Sequence, residues 1–203
     1  MSLIFLIKTS IMKKMMIFLV VFFAVSTAFC QSFMQGAGVT VLVGSSKSGN
    51  VSYGEGLTYS PRFNFIETQS LSVSVGIPLS VGISSSISTD AYDYQTTSIG
   101  FVINAPLMIN LNMGRGSTKE NTESKFGYFV GAGFGYHHGD FLVDDYINGV
   151  IARSSNTFGP DANAGLRFGV GRKHRNIEVR FSYMKGLNED KPNIFGVAGL
   201  FNF

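Results

Sequence analysis

The chain has one cysteine, no tryptophan and no apolar run long enough to cross a bilayer as a helix. Because Cys30 has no second cysteine to pair with, an intrachain disulfide is excluded in any redox compartment. An unbroken apolar run of eleven residues extends from Met15 to Val25. A membrane-spanning helix needs roughly 20 such residues, about twice as many. No transmembrane helix is therefore predicted for the mature protein.

The N-terminal segment has the features of an export signal. A lysine pair precedes the apolar run and small residues follow it, which is the layout of a secretory signal peptide. We predict that residues 1–30 form this signal, with cleavage after Ala28 or after Cys30, and that residues 31–203 form the mature domain. Lipidation of Cys30 is disfavoured because Phe29 is bulky where a lipoprotein signal has a small residue.

The formal net charge of +3 belongs to the export segment. Lys8, Lys13 and Lys14 all lie in it, which leaves 13 basic and 13 acidic side chains in the mature chain. A neutral chain offers no basic patch for nucleic acid, so no nucleic-acid partner is expected. The remaining length, about 173 residues, suits a single domain.

From Gly38 onward, apolar residues recur at every second position, which is the period of β-strands, and no stretch has a sustained helical period. Eight segments share this pattern. Their large apolar positions span 39–43, 57–65, 71–83, 99–111, 126–136, 158–170, 177–183 and 195–203. The sequence therefore predicts an all-β fold with eight strands.

The two faces of these strands differ in kind. One face carries large apolar side chains, and the other is rich in glycine, serine and asparagine, as in the alternate glycines from Gly127 to Gly135. A soluble barrel would have to bury the apolar face and expose a shell of such small residues. Both faces are accommodated if the apolar face contacts lipid and the small polar face lines a narrow lumen. Closing the sheet into a barrel then leaves no backbone edge unpaired in hydrocarbon. We predict an eight-stranded antiparallel up-and-down transmembrane β-barrel in outer-membrane lipid.

Charged residues inside the segments follow the same division. None of the apolar positions holds a charged or amide side chain, a serine or a threonine. The charged residues of opposite parity, predicted to form a polar network in the lumen, are Arg62, Asp161, Arg167, Glu178 and Arg180. Face parity places Arg167 opposite Glu178 or Arg180, so a lumen ion pair is predicted. This ion pair could form a charged constriction of a pore or belong to a polar network that fills a small barrel. We favour the network, because eight strands enclose a space that side chains nearly fill.

The predicted connections alternate between the two ends of the barrel. Outer loops are expected at residues 44–56, 84–97, 139–156 and 186–193, and inner turns near 67–69, 113–124 and 171–175. Prolines cannot donate to a strand ladder, so those within the segments are expected at bulges, rims or strand ends. These prolines are Pro61, Pro78, Pro106 and Pro160.

The third outer loop contains Asn-Gly between apolar runs, which is a strong hairpin signal. We predict a protruding hairpin with a two-residue turn, which sets Asp144 opposite Arg153. A β-bulge between residues 137 and 160 would then restore the register of the membrane part. The exposed residues proposed to meet an external protein or surface ligand are Phe141, Asp144, Asp145, Tyr146, Asn148, Gly149 and Arg153.

His137, His138 and Asp140 are the candidates for a metal site or for an outer-membrane protease. Adjacent strand residues face opposite sides, so the two histidines cannot bind one ion without a local bend, and solvated rim histidines are favoured. The glycine-rich stretch 131–135 lies in a strand with no helix after it, unlike a dinucleotide loop. No catalytic, cofactor-binding or metal-binding residue is assigned, and no enzymatic activity is expected.

The chain ends on Phe203, with Phe201 two residues earlier, and this ending resembles the signal by which barrel-assembly machinery recognises its substrates. With the export segment and the eight alternating segments, the mature chain resembles the small OmpA/OmpX-type outer-membrane barrels. The resemblance implies periplasmic termini. It does not imply peptidoglycan anchoring, because no periplasmic domain follows the barrel as in the two-part OmpA layout. We expect a monomer.

The third loop resembles that of OmpX, whose exposed strands are thought to engage external proteins. The leading expectation is thus a non-enzymatic barrel whose outer loops bind an external partner or stabilise the envelope. The alternative is a small-solute pore. A lipid-modifying or proteolytic enzyme is a third reading, which requires turnover that depends on His137 or Asp140.

Overall fold

A computed structural model describes residues 32–45, 51–89, 95–145, 149–171, 174–188 and 191–203. The predicted signal peptide lies outside these residues. Within them, no helix is long and apolar enough to span a membrane. The strand segments are β1 (Phe33–Ser45), β2 (Val51–Glu67), β3 (Leu71–Gly76), β4 (Leu79–Thr89), β5 (Gln95–Asn104), β6 (Leu107–Gly114), β7 (Phe126–Asp145), β8 (Gly149–Gly169), β9 (Asn176–Lys185) and β10 (Asn193–Asn202).

These segments form one closed antiparallel ring. β1 pairs with β2 on one side and with β10 on the other, and β10, β9, β8 and β7 pair in turn. β3 and β4 lie end to end along β2, and β5 and β6 lie end to end along β7. The described segments therefore build eight wall strands, and the predicted fold class is confirmed.

The wall has the predicted polarity. Its outer surface consists of large apolar side chains, among them Leu57 and Phe101, each 72% exposed. Its inner surface is mainly polar, with Asn64, Ser72 and Asn112 fully buried. A water-soluble barrel has the reverse arrangement, whereas a barrel that spans a membrane has this one.

Two prolines lie inside continuous strands without a bulge. Pro61 of β2 pairs in unbroken register with β1, so the expectation of a bulge or rim is wrong for this residue. Pro160 of β8 pairs with Phe134 of β7 and lies next to Asp161, where the pairing of β8 with β9 ends, so it lies at a rim as expected. Proline keeps its carbonyl acceptor, and Pro61 O still accepts a hydrogen bond from Ile77 N at 3.3 Å. The register shift in the described wall lies instead between Asn64 and Ile66.

The other two prolines mark strand ends, as expected. Pro78 separates β3 from β4, and Pro106 separates β5 from β6. The residue pairs on either side of these breaks keep one register, so Pro78 and Pro106 lie opposite each other on adjacent strands. The break is local because proline has no N–H to donate at this rung.

The second wall strand is longer than predicted. β1 continues to Ser45 and β2 begins at Val51, so most of the predicted outer loop 44–56 is strand. Glu55 consequently lies on the outward face and is exposed. The predicted absence of charge from this face does not hold along the full length of β2.

The hairpin of β7 and β8 keeps one register along its described length, which ends with Asp145 opposite Gly149. The predicted two-residue turn is therefore wrong, because three residues, 146–148, connect the strands. Two of the predicted loop residues, Tyr146 and Asn148, fall in this connection and lie outside the described residues.

The predicted pairing within the hairpin is also wrong. Arg153 lies opposite Phe141 and not opposite Asp144. The bulge at the rim is absent from the pairing of the described residues. The observed register already sets outward Tyr136 opposite outward Phe158, so the parity of the membrane part needs no correction.

Candidate functional site

Glu178 is the centre of a buried ionic cluster in the lumen. Arg167 Nε lies 2.7 Å from Glu178 Oε2, Arg180 Nη2 lies 2.6 Å from Oε1, and Arg62 Nη1 lies 3.6 Å from Oε2. Arg167 and Glu178 are directly opposite each other on β8 and β9, while Arg62 reaches them across the lumen from β2. The predicted ion pair is thus present as part of a cluster of four charges.

The cluster contains three cations and one anion, so the remaining guanidinium N–H groups need neutral acceptors. Arg167 Nη2 donates to Asn112 Oδ1 at 3.0 Å. The Arg167 guanidinium carbon also lies 4.3 Å from the ring centroid of Phe129, within the range of a cation–π interaction. The Phe129 ring fits because Gly165 lies opposite it, and a Cβ at Gly165 would be 2.5 Å from the ring.

The β6–β7 connection closes the lumen next to this cluster. We call residues 115–118 the plug, and three of its four residues have buried side chains. Gly116 O accepts hydrogen bonds from Arg62 Nη2 at 2.7 Å and from Arg167 Nη1 at 3.3 Å. A backbone carbonyl of the plug therefore supplies part of the negative charge that the arginines lack.

The plug is held at a second carbonyl as well. Ser117 O accepts hydrogen bonds from Asn64 Nδ2 at 2.8 Å and from Ser72 Oγ at 2.6 Å. Gly114 and Gly116 both have φ near +69°, a conformation that glycine adopts without steric cost. These glycines let the connection turn back into the barrel end where β1 begins and β10 ends, which we call the terminal end.

An apolar layer closes the lumen nearer its other end, which carries the β7–β8 hairpin and which we call the hairpin end. Four inward side chains, Leu42, Val102, Met184 and Ile194, form one buried cluster. Gly54 leaves room for Val102, since a Cβ at Gly54 would approach it to 3.3 Å. The described lumen is therefore closed at two levels by different chemistry.

Between these levels, a cavity of about 20 Å³ remains, lined in part by Asp161, Asn163 and Arg180. It has room for about one water molecule. Asp161 is only 5% exposed, and its Oδ1 has no hydrogen-bond partner among the described residues. Four of the five predicted lumen charges come together at Glu178, and Asp161 stays apart from them.

Neither closure was predicted from the sequence. The length of the inner connection at 113–124, which exceeds that of the other inner turns, is the signal that could have found the plug. Leu42, Val102, Met184 and Ile194 gave no such signal, because single apolar residues on the lumen parity look like ordinary variation until the barrel brings them together.

The two candidate histidines point to opposite faces of the wall, and the side chain of Asp140 lies outside the described part of the structure. His137 faces the lumen, where its Nδ1 is 3.2 Å from Asn104 Oδ1. His138 is half-buried on the outer face, and its Nδ1 is 2.7 Å from Asn156 Oδ1. Within the described part of the chain, no three histidine, cysteine or acidic residues are grouped so as to hold a metal ion. The two histidines therefore do not form one site.

The remaining predicted residues occupy the two ends of the wall. Phe201 and Phe203 are exposed on the outer face at the terminal end, with ring centroids 6.4 Å apart. The predicted exposed residues of the third outer loop that the structure describes lie in the part of the β7–β8 hairpin that extends beyond the wall, with Phe141 in β7 and Arg153 in β8. The assembly role of the two phenylalanines stays a prediction.

No family model and no curated protein matches the chain. Among solved structures, Ail, the attachment invasion locus protein of Yersinia pestis, crystallised with the heparin analogue sucrose octasulfate, aligns with a TM-score of 0.51 at 12% identity over 85% of this chain and 98% of Ail. Neisserial surface protein A aligns with a TM-score of 0.50 at 11% identity over 86% of this chain and 98% of its own. At such low identity, the likeness shows the fold alone. The chain has the fold of the small OmpA/OmpX-type eight-stranded outer-membrane β-barrels.

Proposed function

We propose that this chain is an outer-membrane protein with periplasmic termini, that it catalyses no reaction, and that its β7–β8 hairpin binds an external partner. The observation that carries the proposal is the length of this hairpin. β7 has 20 residues and β8 has 21, whereas β9 and β10 have 10 each. The excess lies at the hairpin end, away from the start of β1 and the end of β10.

The hairpin continues beyond the strands on both of its sides. The pairing of β5 with β7 reaches only His138, and the pairing of β8 with β9 reaches only Asp161. From His138 to Asp145, seven residues rise about 23 Å at roughly 3.3 Å per residue. This part is a two-stranded ribbon that no other described strand joins.

A free strand edge has unpaired N–H and C=O groups that another chain can use. Phe158 O accepts a hydrogen bond from Leu187 N, so the backbone N–H and C=O groups of the even-numbered residues of β8 point away from β7. Further along the hairpin, Ser154 and Ala152 share this direction and have no described strand beside them. The fitting partner is an external protein that adds a strand to this edge.

The composition of the hairpin narrows the partner class. Residues 139–153 contain three aspartates and one arginine, so a sulfated polyanion of the kind bound in the Ail crystal is disfavoured by charge. A protein with a neutral or basic edge strand is favoured over such a ligand. The small space left in the lumen likewise favours a closed barrel over the small-solute pore.

The test removes whole rungs and leaves the wall intact. Deleting residues 141–145 together with 149–153 brings Asp140 and Ser154, already paired, next to the turn. Purified wild type and variant in lipid nanodiscs are screened against immobilised extracellular-matrix proteins, with heparin as the polyanion. We expect binding to matrix protein that the deletion abolishes, while an unchanged gel shift on heating shows that the barrel still folds.

Single proline variants then separate the two edges. Leu142 and Ala152 are directly opposite each other, and the backbone of each points to the outer edge of its own strand. Leu142→Pro or Ala152→Pro therefore removes an edge donor without breaking the ladder between β7 and β8. Loss of binding in one variant identifies the edge. Retained binding after the rung deletion rules the proposal out, and an envelope defect without any loss of binding favours a stabilising role.

A further inference from the structure

Glu55 is a carboxylate on the outer wall of the barrel. Its strand neighbours on the same face are Tyr53 and Leu57. On the two neighbouring strands, its paired residues are Val41 of β1 and Ile83 of β4, and both are exposed. The carboxylate thus projects from a surface that is otherwise apolar.

Aromatic residues mark how deep Glu55 lies. Near the hairpin end, Tyr53 is the outward aromatic residue of β2 closest to that end, and it lies opposite Val43 of β1. At the terminal end, Phe63 of β2 is opposite Phe33. Ten residues of a strand tilted by roughly 40° rise about 25 Å, the height of the apolar band of such barrels.

Glu55 lies inside this band, two residues from its border at Tyr53. Among the outward positions that the structure describes between the two aromatic borders, it is the one charged residue. No hydrogen bond or ion pair joins its side chain to any described residue. An ionisable group within a membrane segment is costly unless it has a partner, so a positive charge from outside the chain would stabilise this carboxylate.

A shallow groove of about 670 Å³ surrounds the carboxylate. Its sides are the apolar side chains of Val39, Val41, Leu57, Val81 and Ile83. Its floor includes Gly56 and Gly82, which are paired with each other and carry no side chain. A groove with apolar sides and a thin floor suits a lipid acyl chain that lies along the wall.

We propose that this groove binds a phosphorylated lipid of the outer leaflet, whose phosphate is joined to Glu55 by a divalent cation. The carboxylate lies just below the aromatic border, at a depth where lipid phosphates approach the apolar band. Mg²⁺ keeps several waters and is commonly held by one or two carboxylates together with phosphate oxygens, so one glutamate suffices on the protein side. The inference rests on the proposed outer-membrane location and is independent of the partner of the hairpin.

The test uses native mass spectrometry of the purified full chain with two probes, bisphosphorylated lipid A and neutral phosphatidylcholine. Each is measured with Mg²⁺ and after EDTA. The test variant is Glu55→Gln, which removes the charge and keeps the shape. Glu123→Gln is the matched control, because Glu123 is an exposed carboxylate in the β6–β7 connection at the terminal end.

We expect wild type and Glu123→Gln to retain lipid A in Mg²⁺ and to lose it in EDTA. We expect Glu55→Gln to lose the Mg²⁺-dependent retention, and phosphatidylcholine to be unaffected by either variant. Retention by Glu55→Gln equal to wild type, or retention that EDTA leaves unchanged, overturns the proposal. Co-purification of a second protein that depends on Glu55 overturns it in favour of a basic side chain as the partner. The gel shift on heating, measured for each variant, separates these outcomes from failure of the barrel to fold in lipid.

Discussion

Arg167 Nε and Glu178 Oε2 lie 2.7 Å apart on facing positions of β8 and β9, and neither side chain is more than 1% exposed. Asn202 Nδ2 also donates to Glu178 Oε2, at 3.1 Å. A buried ion pair contributes little net stability compared with a well-packed apolar pair, but removing one partner leaves an uncompensated charge. Glu178 is the one anion that serves three arginines, so its removal has the largest consequence.

Glu178→Gln is expected to destabilise the barrel by about 3–5 kcal/mol, the usual cost of breaking a buried pair. Because the chain has no tryptophan, the measurement is the urea midpoint of the heat-dependent gel shift, with far-UV circular dichroism as a second probe. Glu123→Gln is the control and is expected to leave the midpoint unchanged. Equal midpoints for the two variants would contradict the assigned role of the cluster.

Leu57→Arg is expected to destabilise the folded barrel in lipid. Leu57 is 72% exposed on the outer wall, near the middle of the apolar band, where a lipid-facing arginine costs about 2–4 kcal/mol. Leu187→Arg is the control, because Leu187 is similarly exposed at 61% but lies in the β9–β10 connection. Unfolding in lipid vesicles should separate the two variants. If they behave alike, the apolar face of the wall does not contact lipid.

The purified barrel is expected to show no steady open conductance in planar bilayers. The plug and the apolar layer around Leu42 and Val102 close the described lumen independently. Replacing residues 116–124 with a short glycine turn should therefore not open it, because the apolar layer remains. A steady conductance in wild type that shifts when Arg167 or Glu178 is neutralised would favour the small-solute pore instead.

For much of the wall, the alternation of apolar and polar residues predicts which side chains face outward and which face the lumen. Alternation assigns Leu57 to one face and Arg62 to the other without any knowledge of pairing, because successive side chains of a strand point to opposite sides. The same parity predicted that Arg167 lies opposite Glu178 or Arg180, and the register of β8 and β9 selects Glu178. Strand ends were harder to predict. Glu55 was placed in a loop because its own residue type interrupts the apolar pattern, although the backbone of β2 continues past it.

The hairpin shows a second limit. Asn-Gly predicted a two-residue turn from local conformational preference, but the register of β7 and β8 is set by all the rungs from Phe126 to Asp145. A turn at Asn148 would have required a bulge to keep Tyr136 and Phe158 on one face. With three residues between the strands, every residue pair of the ladder is kept, and these many pairs outweigh one favoured turn.

Sequence alone determined that this chain forms a sheet of eight alternating strands with apolar and polar faces, because that division depends only on the order of residues along each strand. Ring closure decided which inward side chains meet across the lumen. Glu178 gathers arginines from β2, β8 and β9, and the plug enters the terminal end. Such contacts join residues distant in sequence, and their distances are fixed by the curvature and register of the complete barrel.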